Sequence, residues 1–123
     1  MSNTISHPEL VKALAKPGEA ICQSMTPQMA HLLHMAVGVA GEAGELLDAI
    51  KKHVIYNKSL DVTNVIEELG DMEFYMEGLR QELGILRELT VQQNIAKLSV
   101  RYSSMSYSDQ QAQERADKAG ETA

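Results

Sequence analysis

Tryptophan is missing from this 123-residue chain, and phenylalanine and cysteine occur once each. With so few large rings, an apolar interior has to be assembled from Leu, Ile, Val, Ala and several of the seven Met residues, which suits packed helices. Cys22 alone cannot close an intrachain disulfide, as fits a reducing, cytoplasmic setting. No apolar run approaches the roughly 18 residues of a membrane span, and the N-terminus lacks the basic-then-apolar layout of a signal peptide. Surplus positive charge is absent as well. The net charge of −6 argues against binding a nucleic acid polymer, which needs a basic surface. A small anionic ligand held through a metal is compatible with that charge. What is present, 44% hydrophobic and 23% charged residues, describes one globular domain and not a disordered chain. Residues 1–25 read as an N-terminal helix and loop, 27–119 as the core and 120–123 as a loose tail.

Capping signals divide the chain into helices. Ser6 to Glu9 forms a capping box whose helix should stop before Pro17, and Thr26 with Pro27 opens a second. Apolar residues then recur at helical spacing: Leu32, Met35, Ala36, Val39, Ala43, Leu46, Leu47, Ile50 and Val54. A third helix should begin between Asp61 and Asn64 and reach about Leu83, with Val65, Leu69, Met72, Met76 and Leu79 as its stripe. Thr90–Gln93 and Ser108–Gln111 are further boxes of the Ser/Thr-x-x-Gln type, and no segment alternates with period two. The expectation is an all-α protein with four main helices and a short fifth. Gly38, Gly41 and Gly44 each cost about 1 kcal/mol against Ala in a helix interior. They imply either a break near Gly38 or a smooth face for a close neighbour.

Two segments, "GEAGELLDAIKK" (41–52) and "NVIEELGDMEFY" (64–75), each place two acids three residues apart on the border of an apolar stripe. Glu42 and Glu45 form the first pair, Glu68 and Asp71 the second, with Tyr75 alongside. Neither pair has a basic residue four positions later, whereas Asp48 has Lys52 and reads as surface. Packed helices leave a gap of roughly 4–5 Å between backbones, so carboxylates entering it from both sides repel and call for a cation. Oxygen-only ligands select a hard ion, and Mg²⁺, for which Mn²⁺ can substitute, keeps waters that a substrate's phosphates can displace. A di-iron site needs Glu-x-x-His on two helices, and no histidine here follows a Glu by three. His31 and His34 alone make a poor zinc site and read as packing or surface residues.

These segments, followed by "NIAKLSVRY" (94–102), resemble the ExxE…ExxD signature and NxxKLxxRY stretch of compact stand-alone members of the MazG-like all-α nucleoside triphosphate pyrophosphohydrolases, relatives of the dimeric dUTPases. The similarity runs from about 27 to 119. It implies a MazG-like bundle that cleaves (d)NTP to (d)NMP and pyrophosphate, with Mg²⁺ on Glu42, Glu45, Glu68 and Asp71. It also implies a homodimer or a dimer of dimers with clefts shared between subunits. Some relatives carry a second Glu where this chain has Gly41, so orientation of the attacking water falls to Glu42, to Glu67, or to the metal itself. Independently, Asn94, Lys97 and Arg101 share one helical face, with Leu98 and Tyr102 along its apolar side. An amide and two cations on one stripe suit a triphosphate. Arg115–Lys118 reads equally as an ion-pair cluster or a substrate contact. The contrasting reading is an acidic helical module that binds nucleotide or a protein partner without turnover.

Overall fold

Ser6 starts the first helix as expected. Its hydroxyl accepts from the Glu9 N–H at 3.4 Å while its own N–H donates to the Glu9 carboxylate at 2.9 Å. The computed structural model describes residues 4–120 and contains helices and no strand among them. In order these are α1 (His7–Leu14), α2 (Gly18–Ser24), α3 (Pro27–Val54), α4 (Val62–Leu83), α5 (Arg87–Arg101) and α6 (Asp109–Glu114), then a 3₁₀ turn at Ala116–Lys118. The protein is all-α, and α1, α3, α4, α5 and α6 stand where the five helices were expected. Helix α2 occupies the stretch read as loop. At seven residues it is too short to show a period.

Local capping sets most boundaries. Thr26 accepts from the Met29 N–H at 3.1 Å, Asp61 from Asn64 at 3.0 Å and Ser108 from Gln111 at 3.2 Å. Gly84 ends α4 at φ 66, the left-handed cap that a Cβ disfavours. Thr90 is a correction: α5 begins at Arg87 behind Leu86, which has no side-chain cap, so Thr90–Gln93 lies inside the helix. The short link after Gly84 lets the helix restart before the box is reached.

Helix α3 is unbroken over 28 residues, so the glycines do not split it in two near Gly38. At Gly38 the Tyr75 ring occupies the space a Cβ would take, which is the close-neighbour reading, whereas Gly41 and Gly44 face open space. Helices α3 and α4 form the principal interhelical contact, an antiparallel hairpin, while α5 packs with α6 and the 3₁₀ turn. The interior is thin. Among the described residues only Met35 and Ala49 are buried apolar side chains. Leu47 is 68% exposed and Val54 61%, so the outer part of the stripe expected on α3 finds no cover within the chain. A monomer of 13.5 kDa should expose about 6,500 Å². This chain exposes 9972 Å².

Candidate metal centre

Each acidic segment delivers its carboxylates by helix geometry. Glu42 lies one turn beyond Gly38 on α3, and Asp71 one turn before Tyr75 on α4, so the Gly38–Tyr75 contact sets the two acids facing each other. Glu68, one turn earlier, completes a trio in which one carboxylate oxygen from each residue lies within 4.8 Å of the other two. Glu42 and Glu68 are half-buried and Asp71 is exposed. The Glu68 carboxyl is pushed up from 4.5 to about 7, first by its hydrogen bond to Glu42. Desolvation and the charges of Glu42, Glu45 and Asp71 add to the rise. Below about pH 7 Glu68 therefore retains a proton beside Glu42.

The donor set fits a hard divalent cation. Oxygens on opposite sides of Mg²⁺ stand about 4.2 Å apart, so donors within 4.8 Å need only small side-chain adjustments. The raised Glu68 carboxyl reflects like charge gathered at this point, which a cation would offset. Glu45 lies outside the trio and is exposed, though near enough for its charge to bear on Glu68. Glu67 is exposed and is not part of the cluster. Tyr75 serves the α3–α4 contact.

The α5 residues are a separate assembly. Asn94 and Tyr102 line an open groove of about 400 Å³ with Leu98, Met105 and Tyr107, and no residue of α3 or α4 takes part. The Tyr102 and Tyr107 rings sit 6.0 Å apart at its wall. Lys97 is exposed. The Arg101 guanidinium grips Asp117 with two bonds of 2.7 and 3.1 Å, and the Asp117 side chain is 4% exposed. That bond holds the Asp117 carboxyl below its usual range. Within Arg115–Lys118 it is thus a nearly buried Asp117 that is ion-paired, and it engages the cation expected to meet phosphate. Position gave no warning, because Arg101 and Asp117 are 16 residues apart.

Two features escaped the sequence reading. Arg80 is buried at 9% exposure and bonds Glu77 at 3.1 Å and Glu73 at 3.5 Å on its own helix. The i−3 and i−7 acids were the available signal. Gly78 is the second, with the Met35 sulfur where its Cβ would be. His31 lines a shallow pocket with Met35 and Phe74, and His34 meets Tyr75 edge-on at 6.2 Å, so both pack or face solvent as expected.

The chain is 30% identical over 90 residues to the Gene 37 protein of Mycobacterium phage L5, an overlap covering 69% of this chain and 75% of that protein. No family model and no solved structure matches. No described helix is long and apolar enough to cross a membrane.

Proposed function

The chain belongs to the family of the phage L5 Gene 37 protein, and for it we propose a Mg²⁺-dependent nucleoside triphosphate pyrophosphohydrolase, cleaving (d)NTP to (d)NMP and pyrophosphate. The observation that carries this reading is the convergence of Glu42, Glu68 and Asp71 from two helices around a retained proton. Glu42, Glu68 and Asp71 would hold Mg²⁺, with Glu45 beside them, and Mn²⁺ would serve in its place. Bound there, the ion would neutralise phosphate charge and acidify water. Water attacks the α phosphorus, the bond from that phosphorus to the α–β bridging oxygen breaks, and pyrophosphate leaves with the electron pair. The water's proton passes to a carboxylate. Glu42 is the first choice, as the half-buried α3 member of the trio, and exposed Glu67 is the second.

Asn94, Lys97 and Tyr102 are proposed to hold the nucleotide, with Arg101 steadied by Asp117 at the edge of the same face. Their separation from the carboxylates within one chain supports a cleft completed by a second copy. So does the surface area. The excess of about 3,400 Å² per chain over a globular monomer is more than the roughly 1,000–2,500 Å² that each partner of an obligate homodimer buries, which leaves surface for a second contact. We therefore propose a homodimer or dimer of dimers.

The test is a panel of nucleoside triphosphates assayed for pyrophosphate release with Mg²⁺, run in ¹⁸O-labelled water. Label in the monophosphate is the expected result. Orthophosphate with a diphosphate product, or tight nucleotide binding without any turnover, would overturn the assignment.

A further inference from the structure

Two glycines among the described residues stand where a Cβ would collide with a side chain of another helix, and they are reciprocal. Gly38 on α3 receives the Tyr75 ring from α4, and Gly78 on α4 receives Met35 from α3. Met35 and Gly38 are one turn apart, as are Tyr75 and Gly78. Each helix therefore offers its neighbour one large side chain and one seat. Tyr75 is steadied further by Phe74, edge-on at 5.2 Å, and by His34 at 6.2 Å.

Such a double interlock selects one register. If α3 slid one turn so that Gly41 took the Tyr75 ring, Gly78 would face Gly38 and Met35 would face Gln81. Both present seats would be empty and one knob unseated. A single glycine would allow that slip; the reciprocal pair does not. The carboxylate trio begins one turn beyond Gly38 and one turn before Tyr75, about 6 Å along each helix. A shift of one residue moves a helix by about 1.5 Å, more than six-coordinate Mg²⁺ accommodates.

We propose that the Tyr75–Gly38 and Met35–Gly78 interlock is the register device that brings Glu42, Glu68 and Asp71 together, with the Tyr75 ring as its positioning residue. The use of the trio for Mg²⁺ rests on the functional reading above, whereas the interlock and its effect on the trio do not.

The experiment is NMR on the full chain without metal, followed by calorimetric Mg²⁺ titration of the same samples. Cross-helix contacts between the Gly38 α-protons and the Tyr75 ring, and between the Glu42 and Glu68 side chains, are expected in the parent. Gly38→Ala should lose both contacts and weaken Mg²⁺ at least tenfold, while Tyr75→Phe, which keeps the ring, should retain all three properties. Should Gly38→Ala fail to fold, Tyr75→Leu, which removes the ring, is read by the Glu42–Glu68 contact and the Mg²⁺ affinity, both of which should be lost or weakened. Loss of the Gly38–Tyr75 contact with the Glu42–Glu68 contact intact, and only a lower melting point, would reduce the interlock to packing and overturn the proposal. A parent that shows both contacts yet takes up no Mg²⁺ would sink the metal reading and leave the register device supported.

Discussion

Replacing Glu68 by Gln should remove a pH dependence that the metal-free protein otherwise shows. Glu68 titrates at about 7 in the folded chain, against an ordinary value of 4.5. At pH 6 it is about nine-tenths protonated when folded and about 3% protonated when unfolded. Folding thus takes up close to one proton there. Because the folded value lies above the unfolded one, the stabilisation is complete below about 4.5 and is lost as pH rises through about 7. The melting point of the metal-free parent should fall across that window, and Glu68→Gln should melt with a flatter profile. Magnesium reverses the preference, since it needs the carboxylates ionised. At pH 6 its binding should expel about 0.9 proton per ion. Calorimetry in two buffers of different ionisation enthalpy measures that release directly. Glu68→Gln should release almost none and bind Mg²⁺ at least about tenfold more weakly. A parent whose metal-free melting point is level from pH 4.5 to 7, or a variant with the parent's slope, would refute the retained proton.

Glu45→Gln and Asp71→Asn should each abolish turnover without lowering the metal-free melting point, because each removes a like charge from beside Glu68; destabilisation of both in chelator would mark them as structural. Lys97→Ala should lower kcat/KM by about ten- to a hundredfold, with the oligomer intact by light scattering. Asp117→Asn should melt below the parent at pH 7 and converge with it in acid, since a carboxyl held below its usual range stabilises only above that range and loses the effect as pH falls. Leu47→Glu, at a side chain 68% exposed in the single chain, should leave the helices formed yet dissociate the oligomer in sedimentation if that face meets a second copy.

What the sequence alone determined is what neighbours within four residues decide. Ser6, Thr26 and Ser108 cap their helices as read, because a cap needs only its own first turn, whereas the Thr90 box, equally local, falls inside α5. The same holds for the acidic borders, since 3.6-residue periodicity assigns Glu42, Glu68 and Asp71 to their faces without a partner helix. Register was not legible. That Glu42, Glu68 and Asp71 converge while Glu45 stays outside depends on how far α3 slides along α4, and the Tyr75–Gly38 and Met35–Gly78 seats decide that only once the helices meet. Arg101 illustrates the same limit. Its face predicted a free cation, but Asp117 comes back to it through a turn and a short helix that no local pattern specifies. Burial was the least legible of all. Periodicity identifies an apolar stripe but not what covers it, and Leu47 and Val54 belong to that stripe while, among the described residues, Met35 and Ala49 are the apolar side chains that lie buried. Local hydrogen bonds are set by residues that adjoin in sequence, whereas seats, ion pairs and covered faces are set by which surfaces the folded chain brings together.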